Sequence, residues 1–269
     1  MENKNFEKKY DNLESLKENP NDELIVFYER GILTFKLNRP NKKNSMTGKM
    51  LNLIIYLLEK AKTNDNIKLI YFTAFGEVFS SGNDFNNFSI MTFDELIVDF
   101  EKFISYLITY PKVLIAGVNG MCIGVSFTML ALFDIVLASD AAFFQVPFIQ
   151  THQTPEGCSS YLFPLYLGKG TAGHLLLNGG PLTAKEAKEI GFVSRMFESE
   201  SFEKDAFDYV LKTAEHSVKS LTNIKHMINR NFTDKLVELN KYECKQLRAS
   251  WDNPAFKNII KKFVKNAKF

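Results

Sequence analysis

The chain has 269 residues, 45% hydrophobic and 24% charged, which is the balance of a globular protein long enough to bury a sizeable core. Thirty-three Lys and Arg stand against 31 Asp and Glu; a net charge of +2 lacks the basic excess of a dedicated nucleic-acid binder. Cys122, Cys158 and Cys244 have neither the pairing of a disulfide framework nor metal-ligand spacing, and they read as free thiols in a reducing compartment.

The N-terminal residues mix acids with lysines and have no apolar centre, unlike a signal peptide or an arginine-rich transit peptide. Phe6, Tyr10 and Leu13 fall at helical spacing, and Asn19-Pro20-Asn21-Asp22 punctuates the chain, so residues 1–22 read as an arm or linker. Residues 24–28 and 32–37 are β-rich runs joined by Glu29-Arg30-Gly31, which predicts a hairpin. A helix is expected from about Thr47 to Ala61, with Met50, Leu51, Ile54, Leu57 and Leu58 on one face. Residues 69–74 predict a buried strand, followed by a polar loop, a helix over roughly 93–109 and a second buried strand over 113–118. Residues 120–124 turn the chain into an apolar helix ending near Leu132, residues 134–138 and 142–145 predict further strands, and the remainder is mainly helical. Strand and helix alternate, which predicts an α/β fold with a parallel sheet and crossover helices. The longest apolar stretch, 113–138, is interrupted by Asn119, by Gly120 and Gly124 in its middle and by Asp134, so no membrane span is expected.

Two turns at strand ends are candidates for holding a negative oxygen. Phe79-Ser80-Ser81-Gly82-Asn83-Asp84-Phe85 carries small residues where the backbone must stay accessible, and Gly82 permits close approach of a ligand. Val118-Asn119-Gly120-Met121-Cys122-Ile123-Gly124-Val125-Ser126 leads into a helix whose first N–H groups have no internal partner. Each is also an ordinary turn composition that by itself needs no ligand. The second has neither the Gly-Lys-Ser/Thr ending of a P-loop nor the dinucleotide glycine pattern. Both fall at the C-terminal ends of strands, where open α/β sheets bind ligands.

These paired segments, 79–85 and 118–130, resemble the two oxyanion-hole segments of the crotonase (enoyl-CoA hydratase/isomerase) superfamily. Leu37-Asn38-Arg39-Pro40 with Asn44 is similar to its early signature, and Leu182-Thr183-Ala184 with Ile190-Gly191-Phe192-Val193 to its later one. The resemblance covers roughly residues 24–263. Ser81-Gly82-Asn83-Asp84 and Thr154-Pro155-Glu156-Gly157-Cys158-Ser159-Ser160 are most similar to the peroxisomal-type Δ3,Δ2-enoyl-CoA isomerases, and the chromodomain Y-type proteins are near relatives. The resemblance implies a spiral of ββα units over residues 23–200 and a helical C-terminal trimerisation region over 201–269. It implies backbone N–H donors at Asn83 and Val125, where a valine in place of glycine is no obstacle because the donor is main chain.

The family's hydratases position water with two glutamates, and the matching positions here are Thr128 and Phe148. Neither takes a proton as a carboxylate does. Glu156 remains, and the resemblance makes it the single base of a 1,3 proton shift on a 3-enoyl-CoA. A Pro-Glu at a helix start has a purely structural reading as well. His152 is the runner-up base, and Cys158 reads as a packing residue. Substrate contacts are expected from Ser81, Gly82, Asp84, Phe85, Gly124 and Phe148, with Phe88 adding to a dry pocket. Lys42 and Lys43, or Lys261 and Lys262, are candidates for the CoA phosphates, and all four equally read as solvated surface lysines. No cofactor is expected beyond the CoA of the substrate, no metal, and no nucleic-acid partner. The alternatives are a hydratase-like enzyme and a non-catalytic acyl-CoA-binding module. Ala267-Lys268-Phe269 is a degenerate relative of a peroxisomal address at most, which leaves peroxisomal, cytoplasmic and mitochondrial addresses open.

Overall fold

The computed structural model describes residues 9–266, with side chains through Lys262. Phe6 and the terminal Ala267-Lys268-Phe269, both invoked above, lie outside the described residues. Leu24–Glu29 (β1) and Ile32–Leu37 (β2) form the expected antiparallel hairpin. Leu69–Ala74 (β3), Val113–Val118 (β5), Ile135–Ser139 (β7) and Arg195–Phe197 (β10) extend it in parallel, giving a six-stranded sheet of order β1-β2-β3-β5-β7-β10. The apolar runs are continuous because both faces of this sheet are covered. Ile70, Phe72, Leu114 and Ala116 point into the main core, while Leu69, Tyr71, Val113 and Ile115 alternate onto the opposite face.

A second sheet, β4-β6-β8-β9, is built from Val78–Ser80 (β4), Met121–Ile123 (β6), Phe143–Gln145 (β8) and Leu182–Thr183 (β9). The sequence reading leaves 78–80 in a loop and 121–123 in a turn. Strands of two or three residues are too short to display a period, and only their pairing with distant segments defines them. The two sheets share a repeating path. β3, β5 and β7 each run in the large sheet, pass directly to β4, β6 and β8 in the small one, and then enter helical structure. This is a spiral of ββα units with a helical C-terminal region.

The helices begin where local chemistry caps them. Gly48–Lys62 (α1) starts at Thr47, whose side chain accepts the Met50 N–H, and its five expected apolar residues are buried. Phe93–Thr109 (α2) starts on a reciprocal capping box between Thr92 and Glu95. Val125–Thr128 (α3) continues as a 3-10 turn, Met129–Leu132, which ends the apolar helix at the expected residue. Phe148–Thr151 (α4) and Ser159–Gly173 (α5) follow, then Ala184–Glu189 (α6). The C-terminal helices are Phe202–Ala214 (α7), Val218–Asn229 (α8), Thr233–Ser250 (α9) and Pro254–Asn266 (α10). α7 covers the outer face of the large sheet through Phe202, Ala206 and Val210. α9 lies on α2, where Asn240 donates to Glu101 O at 2.9 Å and to Ser105 Oγ at 3.0 Å. The described part of the N-terminal segment, residues 9–22, packs on the protein: Tyr10 and Leu13 are buried, and Lys60 donates to the carbonyls of Tyr10 and Asp11. No helix of the described residues is long and apolar enough to cross a membrane.

Candidate active site

The two turns singled out in the sequence meet at the ends of β4 and β6. Met46 donates its N–H to Gly82 O at 2.8 Å and accepts the Asp84 N–H at 2.9 Å, an isolated parallel bridge that brackets Asn83. In parallel pairing the bracketed residue sends its own N–H to the other side. That other side is the β6–α3 turn. Gly82 adopts a φ of 88°, and a Cβ placed on it would lie 2.7 Å from Ile123 O and 3.5 Å from Val125 N, so the two backbones are in direct contact. Ser126 ties them together: its buried Oγ lies 2.9 Å from Ser80 O and 2.7 Å from Ile123 O, and accepts the Ile123 N–H. Gly124 donates to Gln145 O at 2.9 Å, while the N–H groups of Asn83 and Val125 have no protein acceptor among the described residues.

Both turns open into a cleft of about 760 Å³. Its apolar wall includes Phe85, Phe88, Phe100, Phe148, Leu247 and Trp251. Ser81, Gly124, Lys42 and Lys43 line it too. The Ser81 N–H is used internally, on Lys43 O at 2.9 Å, and the two lysines stand exposed at the rim. Lys261 and Lys262 are exposed and do not line the cleft.

Glu156 is buried at the cleft wall, with 4% of its surface exposed. Its Oε1 accepts the Thr128 hydroxyl at 2.7 Å, while its Oε2 is buried without a partner. Burial pushes its carboxyl up to about 8; the Thr128 hydrogen bond pulls it down and the charge of Glu243 pushes it up further. Gly157 (φ 64°) makes the Thr128 bond possible, because a Cβ there would lie 2.8 Å from Thr128 Oγ1. Thr128 stands at one of the two positions where a hydratase glutamate is expected, and here it orients the remaining carboxylate. Phe148, at the other, is 5% exposed and part of the apolar wall.

Asp84 lines the cleft, but its carboxylate is committed elsewhere. It pairs with Arg39 at 2.9 Å and accepts the N–H of Asn86 at 2.9 Å. Burial opposes its ionisation, yet the Asn86 N–H and the Arg39 guanidinium outweigh burial and hold it below the usual carboxylate range. Arg39 also donates to Ser45 O, so this ion pair braces the Gly82 turn against the preceding segment. His152, the alternative base, is exposed at the left-handed end of α4 and outside the cleft lining. Cys158 is buried, its thiol 3.4 Å from Leu236 O and pushed above its ordinary range by burial, consistent with packing. Sequence reasoning did not find Thr128 as the partner of Glu156, nor the Arg39–Asp84 brace, because both rest on contacts between remote segments.

Residues 28–269 match the family model described as enoyl-CoA hydratase/isomerase. Enoyl-CoA delta isomerase 2 of Rattus norvegicus is 38% identical over 247 residues, covering 90% of this chain and 63% of that protein. The chain thus spans a little under two thirds of that relative's length. The peroxisomal enoyl-CoA delta isomerase 3 of Mus musculus is 36% identical over 231 residues, covering 82% of this chain and 72% of that one. Among solved structures, an enoyl-CoA hydratase/isomerase from Pseudoalteromonas atlantica T6c has a TM-score of 0.83 at 29% identity, over 91% of this chain and 98% of its own. Fold, paired turns and sequence relatives agree, and the chain belongs to the enoyl-CoA hydratase/isomerase family of the crotonase superfamily.

Proposed function

We propose that this chain is a Δ3,Δ2-enoyl-CoA isomerase that uses Glu156 as its only proton shuttle. One observation carries the reading. Among the described residues two acids line the cleft: Asp84 is neutralised by Arg39, and only Glu156 keeps a carboxylate oxygen unpartnered. A single available base suits moving one proton along a chain, whereas water addition by the family's two-glutamate route needs a second. The substrate is a 3-cis- or 3-trans-enoyl-CoA whose thioester oxygen lies between the N–H groups of Asn83 and Val125. Glu156 removes a proton from C2, and the C–H electron pair flows into the thioester to give a dienolate. The two N–H groups stabilise the charge gained by that oxygen, an effect worth about 2.7–4 kcal/mol per donor in comparable sites. The protonated Glu156 then delivers the same proton to C4, leaving a double bond between C2 and C3 in conjugation with the thioester. Phe85, Phe88 and Phe148 keep the transferred proton from exchanging with water.

The test is an absorbance assay for the conjugated thioester with purified protein and 3-enoyl-CoA substrates of graded chain length. A rise is expected; no rise at any length, with acyl-CoA thioesters still bound, would leave a non-catalytic acyl-CoA-binding module instead.

The acid side of the pH profile follows from the same residue. Glu156 must be ionised to act, and its carboxyl sits at about 8. The free-enzyme kcat/KM is therefore expected to rise about tenfold per pH unit below that value and to level off above it. A profile already flat from pH 6 would assign the proton transfer to a different group.

The reading includes a homotrimer, supported by the exposed apolar residues Ile224, Met227 and Ile228 on α8. Sedimentation equilibrium is expected to give three times the 30.8 kDa chain mass, and a monomer at working concentration would contradict it. The mouse relative supports a peroxisomal setting, in which the 2-trans-enoyl-CoA product feeds β-oxidation.

A further inference from the structure

The mechanism leaves one buried acid unused. Glu243 on α9 is 3% exposed and does not line the cleft. Both of its oxygens are occupied: Oε2 accepts the Cys158 N–H at 2.7 Å and Oε1 accepts the Ser160 N–H at 3.0 Å. They come from the N-cap residue and the first turn of α5, donors that the helix itself cannot satisfy. The turn they belong to carries Glu156. Directly after Glu156 the backbone takes two left-handed residues in succession, Gly157 (φ 64°) and Cys158 (φ 63°). The second is costly for a residue with a side chain and persists only when its surroundings hold it. Thr128 grips the Glu156 side chain from α3 and packs against Gly157, but among the described residues no hydrogen bond runs from α3 to the backbone that follows. That hold comes from the C-terminal helices.

We propose that Glu243 is a positioning residue for the proton shuttle: its carboxylate clamps the Gly157-Cys158 turn and so aims Glu156 into the cleft. This rests on Glu156 being the base. Two consequences separate it from a structural acid. The clamp acts on the turn that carries the reacting carboxyl, and Glu243 does not itself line the cleft, although Leu247 one turn further along α9 does, so kcat should fall far more than binding. Burial raises the Glu243 carboxyl while the Ser160 and Cys158 N–H groups pull it back down; where it is ionised, its charge faces Glu156 and opposes ionisation there, alongside burial. The other groups facing Glu156 are the Thr128 hydroxyl and the thiols of Cys158 and Cys244, none of them charged in the neutral range.

The experiment uses the full chain with Glu243→Gln and Glu243→Asp. Octanoyl-CoA, which has no double bond to move, serves as the binding probe by titration calorimetry. For Glu243→Gln we expect octanoyl-CoA affinity within about threefold of wild type and a kcat at least tenfold lower. Its acid limb should move to lower pH, since a facing negative charge is gone. Glu243→Asp keeps the charge and should keep the limb near its wild-type position while recovering part of kcat. A Glu243→Gln enzyme with kcat within twofold and an unmoved limb would overturn the proposal. So would parallel loss of binding and turnover in both variants, the signature of a fold defect. Turnover surviving in Glu156→Gln would instead sink the assignment of the base, and the two failures are distinguishable.

Discussion

Glu156→Gln is expected to lower kcat by at least about a thousandfold while acyl-CoA binding persists. A single general acid–base group usually contributes 10²–10⁴, and here one carboxyl both removes and returns the proton. The amide is isosteric, and its carbonyl can still accept the Thr128 hydroxyl, so the wall of the cleft should survive. Stability supplies a second, independent readout. The folded carboxyl lies at about 8 against an ordinary 4.5. The folded state therefore holds a proton that the unfolded chain has already released, and the wild type loses stability as pH rises through this window. Each pH unit crossed costs up to about 1.4 kcal/mol. Glutamine does not titrate. Thermal melts should therefore favour the variant over wild type by a margin that grows from pH 5 to pH 9. An equal margin at both ends would mean that Glu156 is not a buried, proton-retaining acid. Substantial turnover in the variant would mean that it is not the base.

How far the sequence led can be traced through individual residues. The strand at 113–118 was legible to the residue, because an uninterrupted apolar run is a local signal, and a helix over roughly 93–109 was legible too, although the Thr92–Glu95 capping box that starts it was not read. β4 and β6 were not, since three residues carry no period and owe their conformation to each other. The site divides in the same way. Gly82, Asn83 and Val125 stand out as strand-end turns, but that they touch follows from sheet order, which no local pattern encodes. Glu156 drew attention only through the resemblance; as a bare Pro-Glu it is an ordinary helix start. Thr128 and Phe148 were visible as departures from the hydratase pair, and the structure adds what one of them does. Arg39–Asp84 and Glu243–Cys158 span 45 and 85 residues, and nothing in the intervening sequence marks either end as waiting for the other.

Gly82→Ala is the second large effect expected, and it tests the paired turns directly. A methyl group there would sit 2.7 Å from Ile123 O, a backbone atom that cannot swing aside as a side chain can. The φ of 88° adds strain for any residue but glycine, roughly 1–2 kcal/mol. Relief requires the β6–α3 turn to move away from the β4 turn. That displacement separates the N–H of Asn83 from the N–H of Val125, the pair that would hold the developing oxyanion. Losing one such donor typically costs 10²–10³ in kcat, so at least about a hundredfold loss is expected, together with a modest loss of stability. Gly168→Ala separates strain from displacement. Gly168 has a φ of 77°, no neighbour within 4 Å of an added Cβ, and a place in α5 away from the cleft lining. It should lower the melting temperature and leave kcat near wild type. If Gly82→Ala behaved the same way, contact between the two turns would not be what sets the positions of the two donors, and their convergence on one oxygen would have to be abandoned.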